Sequence, residues 1–134
     1  MSENKKLVHA VVMGELHLVE LLLSNNADVN APGAPAAPLI YACMGSQLEM
    51  VQLLLRNGAN VDAQDDKGNT PLTMAAMEGH VEVAKVLLEH GAGMNKEFLN
   101  CALTLACHEN HLDLARLLLQ AGGDSPIAIG LRTQ

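Results

Sequence analysis

The chain has 134 residues, 49% of them hydrophobic, yet it carries no tryptophan, one phenylalanine (Phe98) and one tyrosine (Tyr41). Such a core must be built from Leu, Val, Ala and Met in thin layers. That suits helices lying close together and excludes a globule whose wide gaps are filled by aromatic rings. With 15 acidic and 8 basic residues the net charge is −7. Lys5-Lys6 is the sole adjacent basic pair, so direct duplex binding is not expected, and the acidity favours basic or apolar partners.

Three cysteines, Cys43, Cys101 and Cys107, form no regular framework, and the stretch from Met1 to Lys6 is polar. An odd count with no apolar leader implies reduced thiols and an intracellular location, cytoplasmic or nuclear. No run approaches the length of a membrane-spanning helix, so no membrane role is expected.

A leucine ladder organises the rest. It reads Leu21-Leu22-Leu23, Leu53-Leu54-Leu55, Val86-Leu87-Leu88 and Leu117-Leu118-Leu119, with first residues 32, 33 and 31 positions apart. A period of that size marks stacked helix–turn–helix units. Four repeats follow, at about 1–31, 32–63, 64–95 and 96–124, with a tail over 125–134; the whole is expected to be one all-α domain.

In the first repeat no hairpin precedes the helices. Ser2 is the N-cap candidate, and Lys5 and Lys6 fall on an outer face. The second repeat opens with Pro32-Gly33-Ala34-Pro35-Ala36-Ala37-Pro38, which predicts an irregular, polyproline-like loop. Its interhelical turn carries Ser46 where a positive φ is needed, so Gly45 is expected to shift the turn by one residue. The third repeat has the fullest pattern. Gly68 supplies a turn, Thr70 an N-cap candidate and Pro71 the first helical position. A helix over Leu72–Glu78 then ends at Gly79, and a second runs from about Val81 to His90 before an extended Ala92-Gly93-Met94-Asn95. The fourth repeat opens with a shortened Lys96-Glu97-Phe98-Leu99-Asn100 and turns at Asn110. Small Ala10, Ala42, Ala75 and Ala106 occupy one equivalent site where helices must approach closely. Beyond it, Ser125–Gly130 is not a further repeat. Either Ile127 and Ile129 fold back over the last helix pair, or the apolar end meets another subunit, or the array continues.

These residues resemble ankyrin repeats. Thr70-Pro71-Leu72-Thr73 is similar to the T-P-L-H opening, Glu78-Gly79-His80-Val81-Glu82-Val83 to the G-H-x-E-V turn, and Gly58-Ala59-Asn60-Val61-Asp62 to the G-A-x-V-N exit. The similarity spans roughly residues 5–124. Cys101-Ala102-Leu103-Thr104-Leu105-Ala106-Cys107 is similar to the A-L-T-L-A-C units of multi-ankyrin proteins that also carry a single KH domain, although no KH-type G-x-x-G loop is present.

The resemblance implies an all-α solenoid of four repeats, irregular at its first, second and last openings, and a partner protein docked on the concave side. Carried through the register, that side comprises Val12 and Met13; Gly33, Ala34, Ala36, Met44 and Gly45; Asp66, Lys67, Asn69, Met77 and Glu78; and Glu97, Phe98, Asn100, His108 and Glu109. Met13, Met44 and Met77 are either a soft apolar stripe beside an acidic flank, suited to an apolar or basic peptide or helix, or mere filling between helices. By the same resemblance His80 and His111 tie neighbouring loops. Leu22, Asp28, Val29 and Asn30 are similar to an asparagine-hydroxylation motif, with Asn30 as the modified residue; otherwise Asn30 only bonds loop backbone.

The chemistry-bearing residues make a poor case for catalysis. Cys107, His108 and His111 are the residues nearest to a zinc set, but Cys107 is expected to be a buried, neutral thiol facing into the stack. His17 and His90 are expected to face solvent. Asp65-Asp66 sits at a turn tip, and no phosphate loop, dinucleotide fingerprint or nucleophile elbow occurs. The expectation is a non-catalytic scaffold with no cofactor and no metal. The alternative is a self-assembling module that forms a homodimer through its apolar C-terminal repeat, Leu118 included.

Overall fold

The structure, a computed structural model, describes residues 3–30 and 36–122. Within them the regular elements are all helical and no strand occurs. The chain divides into two compact units, Met1–Pro71 and Leu72–Gln134.

The first unit contains α1 (Glu3–Met13), α2 (Leu16–Ser24), α3 (Pro38–Met44) and α4 (Leu48–Arg56). Leu7, Ala10 and Val11 recur at helical spacing and form the buried face of α1, which packs against α2 and α3, while α3 packs against α4. Ala10 and Ala42 are completely buried, as the small-residue register requires. Helix α3 starts with Pro38 in the first turn, preceded by Ala37 at φ −67° and ψ 153°, the polyproline II values a residue before proline is steered toward. The prolines at 32 and 35, Gly33, Ala34, the Ser2 cap and the tail containing Ile127 and Ile129 lie outside the described residues. Ala36, expected on the partner face, is buried.

The turn of the second repeat differs from expectation. Ser46 itself takes the left-handed conformation at φ +54°, in step with Gly14 at +76°, and Gly45 keeps a negative φ. Gly45 is needed for space instead. A Cβ there would lie 3.1 Å from Nε2 and 3.4 Å from Cγ of Gln47. Helices α2 and α4 close with Asn26 at φ +70° and Gly58 at φ +90°. The amides of Ala27 and Ala59 then donate back to the carbonyls of Leu22 and Leu54, each at 3.0 Å. The loops that follow are stitched together: the amide of Asn60 donates to Asn30 Oδ1 at 2.8 Å, and that of Asp28 to Asn4 Oδ1 at 3.1 Å. The hairpin ahead of the third repeat closes through the Asp65 amide to Asn69 O (3.0 Å) and the Gly68 amide to Asp65 O (3.1 Å).

The second unit contains α5 (Pro71–Glu78) from its second residue on, α6 (Val81–Glu89), a 3₁₀ turn (Ala92–Met94), α7 (Lys96–His108) and α8 (Leu112–Gln120). Helices α6 and α7 both pack on α8 and on the 3₁₀ turn. Ala75 and Ala106 are again completely buried.

Two expectations are overturned here. Ala92–Met94 winds into a 3₁₀ turn behind Gly91, whose φ is +97°, where an extended exit was expected. The shortened opening Lys96–Asn100 is no hairpin. It is the first turn and more of α7, because the Asn95 side chain caps the helix by accepting from the Phe98 amide at 3.2 Å, and no Gly or Pro interrupts the sequence from Lys96 to His108. Leu99, Ala102, Leu103 and Ala106 form the buried stripe of this longer helix.

Candidate partner-binding surface

In the first unit the last residues of α1 and α3 turn outward. Once Leu7, Ala10 and Val11 face the core, the 100° step of the helix carries Val12 and Met13 to solvent. Met44 stands in the same relation to Ala42 and Cys43. Val12, Met13 and Met44 are 52%, 60% and 50% exposed, on helices that pack against each other. Just beyond them lies an open groove of about 320 Å³ lined by Gly14, Leu16, Gln47, Leu48, Glu49 and Met50. Gln47 braces it, donating from Nε2 to the carbonyl of Val11 at 3.0 Å. At the hairpin tip Asp66 and Lys67 are exposed. Asn69 is half-buried and engaged with Asp65, through its amide (2.8 Å) and its side chain (3.1 Å), so it shapes the tip and offers little to a partner.

In the second unit Met77 is 37% exposed; Glu78, His108 and Glu109 are exposed at the same ends of their helices. Glu97, Phe98 and Asn100 do not join them. They lie in the first turns of α7, about 12 to 16 Å from His108 along the axis at 1.5 Å per residue, and Phe98 and Asn100 are half-buried.

One histidine ties two repeats together. His111 stands at the start of α8 with Nε2 3.2 Å from the carbonyl oxygen of Met77. A carbonyl only accepts, so Nε2 carries the hydrogen. His17 and His90 are exposed. Gln47, at the equivalent position in the second repeat, makes the same kind of bond to the repeat before it. Sequence reasoning passed over Gln47, although it shares a column with His80 and His111.

Repeated helix-turn-helix pairs and left-handed turns at equivalent positions recur in register, and in each unit a side chain, the Gln47 amide or the His111 imidazole, ties one turn to the repeat before it. Family models described as ankyrin repeats match residues 39–128 (three copies) and 7–55 (many copies). The chain belongs to the ankyrin-repeat family. No curated protein matches it. Ankyrin repeats are in general protein-interaction modules and not catalysts.

The thiols of this ankyrin-repeat chain are graded by burial. Cys43 is buried and its pKa is pushed up to about 12 by desolvation. Cys107, expected to be buried, is half-buried; burial still raises its pKa. Cys101 is exposed. Among the described residues no group of three or more His, Cys, Asp or Glu is placed to hold a metal ion, and no helix is long and apolar enough to cross a membrane. Asn30 is exposed, with its side-chain oxygen committed to the Asn60 amide. Leu118 is completely buried, so it presents nothing to a second subunit; the exposed apolar residue of α8 is Leu112.

Proposed function

We propose that this ankyrin-repeat protein is a non-catalytic interaction module that holds a partner protein against the outward ends of its first helices. One observation carries the reading. The position two residues after the buried alanine is an exposed apolar side chain in three repeats: Val12, Met44 and Met77. Methionines that fill gaps in this chain are buried, as Met50 and Met74 are. Met44 and Met77 are not of that kind, and exposed thioethers suit adaptable recognition. Exposed Asp66, Glu78 and Glu109 bias the choice toward basic or apolar partners.

Affinity capture from lysate tests this. Met44→Lys combined with Met77→Lys is expected to abolish capture while circular dichroism stays unchanged. Capture that survives both substitutions refutes the reading.

A self-assembling module is the second reading, supported by Leu112, which is exposed where Leu16, Leu48 and Val81 are half-buried. Light scattering of the protein and of Leu112→Glu decides it: a dilution-stable dimer dispersed by the substitution is the expected sign, and a monomer at all concentrations excludes it.

A further inference from the structure

We infer that the groove between the turns of the first two repeats seats an apolar side chain of a cationic partner segment, with Glu49 pairing the Lys or Arg that flanks it. The inference rests on the interaction reading above and names the chemistry of the partner.

Size comes first. At about 320 Å³ the groove is at the bottom of the range that accepts small molecules, and it is open to solvent along its length. Leu16, Leu48 and Met50 give it apolar walls. Met13 and Met44 immediately precede the two turns that form it, and both are at least half exposed, so the apolar surface continues past the rim. An apolar anchor entering from a protein segment covers both; a compact polar ligand covers neither.

Charge selects among such segments. Between Lys6 and Arg56 the chain contains no lysine or arginine, but it contains Glu15, Glu20, Asp28 and Glu49. Glu49 lines the groove, and Glu15 sits on the turn beside Gly14. Both are exposed, and among the described residues no cation pairs with Glu49. An acidic or neutral segment would cover this carboxylate without replacing its water, at a cost. A Lys or Arg beside the anchor satisfies it and also steers the encounter. Nucleic acid and anionic surfaces are repelled by the same field.

Anisotropy of short fluorescein-labelled peptides tests the inference in about 0.15 M salt. The probes are a helical Leu/Lys peptide, a Leu/Glu peptide of the same pattern and a Ser/Lys peptide of the same charge. The Leu/Lys peptide is expected to bind saturably and the other two not to bind. Glu49→Lys should weaken the Leu/Lys peptide about tenfold, whereas Glu3→Lys, the same charge change at the far end of α1 and about 16 Å from Gly14 along the axis at 1.5 Å per residue, should leave it within about twofold. Leu48→Ser should weaken it with circular dichroism unchanged. Equal binding of the Leu/Glu peptide, or equal effects of the two charge reversals, overturns the inference.

Failure of the two readings is separable. Capture that depends on Met44 and Met77 but ignores Glu49→Lys overturns the groove and leaves the interaction module standing. Glu49-dependent peptide binding with no methionine-dependent capture upholds the groove and overturns the wider surface.

Discussion

The imidazole of His111 lies directly over Gly79: a Cβ built on Gly79 would come within 2.7 Å of Nδ1 and 2.8 Å of Cε1. The glycine is therefore required twice, for its φ of +76° and for the room it leaves the ring that reaches on to Met77 O. Gly58 also has a positive φ, yet nothing stands within 4 Å of its missing Cβ.

That difference yields a comparison. Gly58→Ala should cost about 1–2 kcal/mol, the strain of a left-handed alanine. Gly79→Ala adds overpacking of about 1–3 kcal/mol and should be the more damaging in urea unfolding. His111→Ala removes the obstructing ring, so the Gly79→Ala/His111→Ala pair should be less destabilised than the two single losses combined. Strict additivity would show that ring and glycine do not interact.

Ser46 is an exposed serine held at φ +54°, in the column where Asn110 holds +62°. Asparagine enters this region more readily than serine. Ser46→Asn should therefore raise stability, by up to about 1 kcal/mol, read as a higher urea midpoint with an unchanged slope. A lower midpoint would mean the serine hydroxyl has a role of its own.

Thiol labelling should proceed in a fixed order. Cys101 is exposed, Cys107 is half-buried with its pKa raised by burial, and the Cys43 thiol is pushed up to about 12. The thiolate is the reacting form. At pH 8, mass spectrometry should find Cys101 modified first, Cys107 later, and Cys43 at the rate of unfolding. Early modification of Cys43 would contradict the packing of α3.

Asp65 sets an acid limit on the hairpin. Burial tends to raise its pKa but is outweighed by bonds from the Asn69 amide and side chain and by the Lys67 amide and charge, leaving it below the ordinary 3.8. A depressed carboxylate stabilises the folded state above its unfolded pKa and stops doing so as pH falls through the folded value. Asp65→Ala should cost at most about 1 kcal/mol near pH 7, solvent screening included, and the gap from the parent should close as pH falls below 3.8. A gap independent of pH would assign the loss to shape, not charge.

Leu18 and Leu21 are 38% and 61% exposed, whereas Met50, the equivalent of Leu18 one repeat later, is 1% exposed. Leu18→Lys and Leu21→Lys should each move stability by no more than about 0.5 kcal/mol, and Met50→Lys should cost more than about 3 kcal/mol. Thermal unfolding of the three variants separates the cases.

The sequence by itself determined the repeat. Its leucine spacing, its buried alanines at Ala10, Ala42, Ala75 and Ala106 and its left-handed turns at Gly14 and Gly79 follow from local rules of helix faces and backbone sterics, and each repeat states them afresh. The tertiary structure decided what depends on neighbours. Ser46, and not the neighbouring Gly45, takes the left-handed φ, in step with Gly14, Gly79 and Asn110. Lys96–Asn100 becomes helix because Asn95 caps it and Leu99 and Leu103 join the buried stripe. Identical leucines are core at Leu54 and surface at Leu21, because whether an apolar side chain is covered depends on what packs over it, and the residue alone does not encode that.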